Sequence, residues 1–123
     1  MPALKALSDP EIAAGLADLP HWRHEGGAIR RLYRTNAWKG SLMVVNAIGH
    51  LAEVAWHHPD LSVSWGKVEV ALSTHDVGGI SARDFELARK IEDFVGWRPA
   101  LDGGALEGTP ADDRFAYVMH DDK

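Results

Sequence analysis

The sequence contains no cysteine among its 123 residues. This absence excludes disulfides, zinc–thiolate and iron–sulfur sites, and thiol nucleophiles, and it suits the reducing cytoplasm. No apolar run reaches the length of a membrane span, and the N-terminal residues lack the apolar region of a signal peptide. The sequence therefore predicts a cytoplasmic protein that does not enter a membrane.

Basic residues are also in deficit, with 13 Lys and Arg against 18 Asp and Glu and a formal net charge of −5. An acidic chain is a poor candidate for nucleic-acid binding, which depends on neutralising phosphates. We interpret the basic cluster Arg30, Arg31 and Arg34 as a solvated strand face, not as a nucleic-acid patch. Apolar residues make up 46% of the chain, which is enough for one domain with its own core.

Local patterns predict the order helix, two strands, helix, two strands, helix. Ser8 and Glu11 form a capping box at the first helix, and Gly26-Gly27 is a hairpin turn signal. The predicted elements are a short helix ending before Pro20, strands 21–25 and 28–35, a helix over 39–57, strands 61–65 and 67–74, and a helix over 81–95. Hairpins with intervening helices are typical of an α+β two-layer domain, here a four-stranded antiparallel sheet with helices on one face.

The composition changes after Gly96, where glycine and proline become frequent and apolar residues are few until Phe115. We therefore divide the chain into a domain over residues 1–96 and an irregular C-terminal extension over 97–123. The apolar residues near its end, Phe115 to Met119, are expected to dock back onto the domain. The helix over 39–57 is apolar around most of its girth, so one side is expected to lie on the sheet and another in a subunit interface.

The richest segment for chemistry runs from Glu53 to Asp60 and contains His57-His58-Pro59. Glu53 and His57 are four residues apart, so within a helix they share a face. Pro59 removes His58 from helical geometry, which predicts that the helix ends between the two histidines. Their side chains can then converge from different directions.

Two further polar residues lie at the ends of predicted elements. His75 follows a strand, and Asp84 lies in the first turn of the last helix. Histidine suits proton transfer because its ordinary pKa of about 6.5 is close to working pH. Three histidines with Glu53 and Asp84 provide the groups for general acid–base catalysis, without a metal or a nucleophile.

Simpler interpretations compete with this one. His-His-Pro can be only a helix stop, and Asp84 completes a capping box with Ser81 that needs no functional explanation. A metal site with two histidines and one carboxylate is the more specific chemical alternative. Its ligands would be Glu53, His57 and His75.

The segment from Glu53 to Ala88 resembles the pterin-4a-carbinolamine dehydratase family in order and spacing. The matching features are Glu53, His57-His58-Pro59, Trp65, His75 within the run from Ser73 to Gly79, and Asp84 after Ser81. The resemblance implies a single domain with a four-stranded antiparallel sheet and helices on one face. It also implies a homodimer through edge strands, or a homotetramer.

The family's reaction is the loss of water from 4a-hydroxytetrahydropterin, which gives quinonoid dihydropterin. By resemblance, His58 and His75 act as acid and base at the C4a hydroxyl, while His57 contacts and orients the pterin. Glu53, Arg83 and Asp84 form the surrounding polar shell, and Thr74 lines the pocket. The pterin is the substrate, and the chemistry requires no metal or bound cofactor.

Two departures from the family pattern leave an alternative function open. Trp56 stands where the family usually has a small polar residue, and the extension after Trp97 is an addition. Both would suit a protein of this fold that binds a partner instead of catalysing. Dehydratase-like proteins of carbon-fixing bacteria that assist RuBisCO assembly are one such branch, and dimerisation partners of a transcription factor are another.

Overall fold

An antiparallel sheet carries three helices on one face in a computed structural model of the chain, which describes residues 3–120. The elements are α1 (Asp9–Leu16), β1 (Trp22–Glu25), β2 (Ala28–Thr35), α2 (Ala37–Ala55), β3 (Asp60–Ser64), β4 (Lys67–Leu72), α3 (Ala82–Val95) and β5 (Val118–Met119), with 3-10 turns at His75–Val77 and Pro99–Leu101. The predicted α+β class and the order of its helices and first four strands are confirmed. No helix within residues 3–120 is long and apolar enough to cross a membrane.

The strands lie in the order β1-β2-β4-β3, and every pairing is antiparallel. The predicted hairpin at Gly26-Gly27 joins β1 and β2, and both glycines have positive φ, which glycine adopts without a steric penalty. The short β5 adds a fifth strand, because Val118 pairs with Thr35 and Met119 with Arg34. A two-residue strand has no periodicity, so no sequence pattern predicted it.

The core lies between the sheet and the helices. In β4, Val68, Val70 and Leu72 are buried and alternate with more exposed residues, as the period of two requires. They pack with Val44 and Ile48 of α2 in one hydrophobic cluster. This packing fixes the ends of α2, α3 and β4 relative to one another.

Arg31 corrects the interpretation of the basic cluster as a solvated face. Alternation along β2 places Arg31 on the core side, where it is buried. Its guanidinium pairs with Glu92 of α3, and the same carboxylate oxygen accepts hydrogen bonds from Trp22 Nε1 at 2.9 Å and the Tyr33 hydroxyl at 2.8 Å. Burial, with the neighbouring Glu92 charge, raises the pKa of Tyr33, so its hydroxyl stays protonated and donates.

The main helix ends earlier than predicted. It stops at Ala55, and Trp56 takes the left-handed conformation with φ of 53°. The amide of His57 donates to the Ala52 carbonyl at 3.1 Å, which closes the last turn. The expectation that His57 lies on the helix is therefore wrong, since both histidines follow its end.

The C-terminal extension packs at the opposite end of α2. The side-chain amide of Asn36 donates to the carbonyls of Asp113 and Ala116, and the Asn36 backbone amide donates to the Tyr117 carbonyl at 3.0 Å. A Cβ on Gly40 would lie 2.6 Å from that carbonyl oxygen, so this close approach requires glycine. The predicted docking of the last apolar residues is thus seen in Val118, which is buried; residues 121–123 of the extension lie outside the described residues.

Candidate active site

Three element ends meet beside α2. The chain leaves α2 through Trp56, His57 and His58, β4 ends just before Thr74, and α3 begins after its cap Ser81. Residues placed at the ends of rigid elements are held in position by the scaffold. The first turn of α3 can therefore contact the segment that follows α2.

Asp84 is the centre of a buried hydrogen-bond network. Its side chain is fully buried, and its Oδ1 lies 2.6 Å from Nε2 of His57. Its Oδ2 accepts hydrogen bonds from the Thr74 hydroxyl at 2.7 Å and the Ser81 amide at 2.9 Å. The predicted capping box with Ser81 is present, and the same carboxylate holds a histidine. The structural and the functional interpretation of Asp84 are therefore compatible.

Glu53 and His58 form a second carboxylate–imidazole pair, at 2.7 Å. Both side chains are exposed, Glu53 by 69% and His58 by 49%, so water competes for this contact. The Trp56 ring meets the His58 ring edge-on, with centroids 5.1 Å apart. The sequence predicted that Glu53 shares a helix face with His57. Because α2 ends early, the Glu53 side chain contacts His58 instead.

His75 lies on the 3-10 turn that follows Thr74. An isolated bridge closes the turn, because the Thr74 amide donates to the Gly79 carbonyl at 2.7 Å. Gly78, in the left-handed conformation, ends the turn. The His75 side chain is exposed, and no hydrogen bond or ion pair holds it within residues 3–120. The structure therefore joins His57 to Thr74 through Asp84 and leaves His75 beside this network without a direct contact.

A groove of about 440 Å³ opens between the end of α2 and the first half of α3. Its apolar wall includes Leu51, Val54 and Leu87, and its polar groups are His57, Arg83, Glu86 and Lys90. An apolar cleft with few convergent polar groups is the usual form of a small-molecule site. His57 is the residue that links this groove to the buried Asp84 network.

The alternative metal site is not assembled in the described structure. Within residues 3–120, no group of three His, Asp or Glu side chains is placed to hold a metal ion. His57 and Glu53, two of the three suggested ligands, instead pair with Asp84 and His58.

Sequence reasoning missed the connecting role of Ser81. Its hydroxyl accepts from the Arg83 amide at 3.2 Å and lies 2.7 Å from the Thr74 hydroxyl. From sequence, Ser81 was identified only as a helix cap, because its contact with Thr74 depends on the packing of α3 against the end of β4. The signal in the sequence is a hydroxyl residue three positions before the candidate carboxylate Asp84.

The arrangement is suited to moving protons. One imidazole borders a groove and is held by a buried carboxylate, and two others lie nearby on the segments that follow α2 and β4. A base held by a third group is the recurrent design of acid–base sites. The groups that these residues offer for such chemistry are the imidazoles of His57, His58 and His75.

Comparison with known proteins gives a consistent result. Residues 5–94 match the family model described as "Pterin 4 alpha carbinolamine dehydratase". A protein of Aquifex aeolicus named "Putative pterin-4-alpha-carbinolamine dehydratase" is 45% identical over 92 residues, which cover 75% of this chain and 93% of the relative. One of the same name from Thermosynechococcus vestitus is 45% identical over 89 residues, covering 72% of this chain and 94% of the relative.

A solved structure shares the architecture. It is described as the crystal structure of a transcriptional coactivator/pterin dehydratase from Brucella melitensis, with a TM-score of 0.70 and 26% sequence identity. The match covers 75% of this chain and all of that one. The matched portion therefore corresponds to the whole of the neighbour's chain.

Proposed function

Because the chain belongs to the pterin-4a-carbinolamine dehydratase family, we propose that it dehydrates 4a-hydroxytetrahydropterin to quinonoid dihydropterin at the site formed by His57, His58 and His75. The observation that carries this proposal is His57 itself, which borders an apolar groove on one side and is bound to the fully buried Asp84 on the other. The groove volume of about 440 Å³ is within the usual range of small-molecule sites, and Arg83 and Glu86 offer polar contacts.

The reaction needs an acid and a base. The C4a–O bond breaks, the leaving hydroxide takes up a proton and departs as water, and a pterin ring nitrogen loses a proton as the new double bond forms. We assign these transfers to His58 and His75, with His57 contacting and orienting the pterin and able to accept a proton. Positioned imidazoles accelerate such steps by roughly 10²–10⁴-fold each.

The remaining polar residues surround this reaction. Glu53 pairs with His58 and holds the ring of one of the two residues to which we assign proton transfer. Arg83 lines the groove and supplies a fixed cation toward the carbonyl and ring nitrogens of a pterin. Thr74 and Asp84 complete the polar shell from the buried side.

Stopped-flow measurement of 4a-hydroxytetrahydropterin dehydration tests the proposal. We expect the purified protein to accelerate the reaction, and we expect His75→Ala to lower the rate roughly 10–100-fold. The loss at His75 is expected at or below the lower end of the usual range, because its exposed ring has no hydrogen bond that holds it within the described residues. If the correctly folded wild-type protein does not accelerate the reaction, the proposed dehydratase activity is refuted.

The proposal includes a cytoplasmic homodimer or homotetramer. Strand β3 is an edge of the sheet in the described chain, and Leu42 and Met43 of α2 are 40% and 48% exposed. An unpaired edge strand and exposed apolar helix residues are both typical of subunit interfaces. The absence of cysteine suits the cytoplasm. Light scattering of the purified protein measures the mass of the assembly.

Protein binding, with a client such as RuBisCO, is a second candidate function. The extension exposes several large apolar side chains, Trp97, Leu101, Leu106 and Phe115, each by more than half. Surface apolar residues of this number in one segment favour a partner-binding role.

Substitutions in the extension separate the two candidates. If the extension binds a client, Leu101→Ser with Leu106→Ser is expected to reduce assembly of added RuBisCO subunits, measured by native gel, several-fold. The dehydration rate is expected to stay unchanged, since neither side chain lines the groove. Ala105→Ser is the matched control in the same segment. Equal assembly yields with and without the protein would remove this candidate.

A further inference from the structure

The hydroxyls of Thr74 and Ser81 form a buried chain that ends at the candidate site. Both residues are buried, Thr74 with 3% and Ser81 with 0% of its surface exposed. Thr74 Oγ1 lies 2.7 Å from Ser81 Oγ and 2.7 Å from Asp84 Oδ2. The chain continues from Asp84 Oδ1 to Nε2 of His57, at 2.6 Å.

The donors and acceptors of this chain fit one direction. An ionised carboxylate only accepts, so the single Thr74 hydroxyl proton points to Asp84. Thr74 Oγ1 must then accept from Ser81, and the Ser81 oxygen in turn accepts from the Arg83 amide. The directions of the Thr74 and Ser81 hydroxyls are therefore set by Asp84 and by the backbone amide of Arg83 in α3.

The ring nitrogen of His57 that carries hydrogen follows from the same donor and acceptor capacities. Asp84 Oδ1 can only accept, so Nε2 carries the hydrogen and the neutral imidazole has its free lone pair on Nδ1. Within residues 3–120, Nδ1 makes no hydrogen bond, and no buried side-chain nitrogen or oxygen lacks a partner. Nδ1 is therefore accessible, on a residue that lines the groove.

We infer that Thr74 and Ser81 are positioning residues, which act through Asp84 to hold His57 in the Nε2–H tautomer with Nδ1 as its proton-accepting atom. This inference rests on the proposed dehydratase function for its kinetic consequence, but the tautomer itself is independent of any activity. By the same inference Asp84 does not contact the substrate, because a carboxylate with no exposed surface acts through the residues it binds.

The exposed pair of Glu53 and His58 provides the internal comparison. Its geometry resembles that of Asp84 and His57, with 2.7 Å between oxygen and Nε2. The Glu53 side chain makes no other hydrogen bond within the described chain, and water reaches both partners. A carboxylate–imidazole contact without buried support is expected to leave its histidine in exchange between tautomers.

Nitrogen-15 NMR of histidine-labelled protein tests the inference directly. Spectra recorded at about pH 8, above the ordinary histidine pKa of about 6.5, report which ring nitrogen carries the proton. His57 signals are identified by their loss in His57→Gln. We expect the wild-type protein to show His57 in the Nε2–H form. An Nδ1–H form in the wild type would overturn the inference without any variant.

Thr74→Val removes the hydroxyl at nearly constant volume and tests the chain. We expect the His57 signals of this variant to become a mixture of tautomers and kcat to fall about tenfold, with a smaller change in KM. Thr74→Ser restores the hydroxyl and is expected to recover both readouts. Glu53→Gln is the control for the tautomer, which should not change at His57. The amide fingerprint spectrum verifies that each variant is folded.

Each outcome separates the two proposals. A tautomer that is lost in Thr74→Val and restored in Thr74→Ser supports the positioning role even if the wild type does not act on the pterin, in which case only the proposed function fails. An active wild type whose tautomer and kcat are both unchanged in folded Thr74→Val overturns the positioning role and leaves the proposed function intact.

Discussion

Replacing His57 with alanine is expected to lower kcat for 4a-hydroxytetrahydropterin dehydration by roughly 10²–10⁴-fold. The loss has two causes. The imidazole that borders the groove is removed, and Asp84 is left fully buried without the ring that its Oδ1 binds. Stopped-flow kinetics measure the change.

The control for this substitution is His50→Ala. His50 lies on α2 and is exposed, and no hydrogen bond or ion pair holds its side chain within the described chain. We expect this variant to retain the wild-type rate. If His57→Ala is folded and equally active, His57 has no part in the reaction and the location of the site beside α2 is wrong.

Replacing Glu92 with alanine is expected to lower the free energy of unfolding by about 3–5 kcal/mol. Glu92 accepts hydrogen bonds from Trp22 and Tyr33 and pairs with Arg31, so its removal leaves three donors of the sheet without their common acceptor. Arg31 is buried, and a buried guanidinium that loses its carboxylate loses the negative charge that offsets its desolvation. Urea unfolding followed by tryptophan fluorescence measures the loss.

Asp93→Ala is the matched control, because Asp93 is the exposed neighbour of Glu92 on the same helix turn. Its effect should stay within about 0.5 kcal/mol. Glu92→Gln keeps one oxygen acceptor and is expected to fall between the two. A loss below about 1 kcal/mol in Glu92→Ala would mean that water replaces the carboxylate, and that the cluster contributes little to stability.

The fold was largely predictable because its signals are local. The capping box at Ser8, the turn at Gly26-Gly27 and the alternation along β4 each act within a few residues. The end of α2 was not predictable in the same way. A left-handed helix cap is usually glycine or asparagine, and Trp56 gives no such signal. Pro59 indicated an end nearby, and the true end lies two residues before His57.

The composition of the candidate site was predictable, but its pairings were not. Glu53, His57 and His58 stand out in the sequence, yet the early end of α2 changes which carboxylate meets which imidazole. The contact between Thr74 and Asp84 spans ten residues and depends on the packing of α3 against the end of β4. Arg31 was misjudged for a related reason, since its carboxylate partner lies 61 residues away.

The position of the extension has a consequence for how such a chain can evolve. Its last strand docks where α2 begins, whereas His57 follows the end of that 19-residue helix, roughly 28 Å away at 1.5 Å per residue. Substitutions there can accumulate without moving the groove, so selection on the two ends of α2 is decoupled. Loss of this extension is therefore expected to leave the groove and the His57–Asp84 pair in place, so the extension can vary as a separate heritable trait.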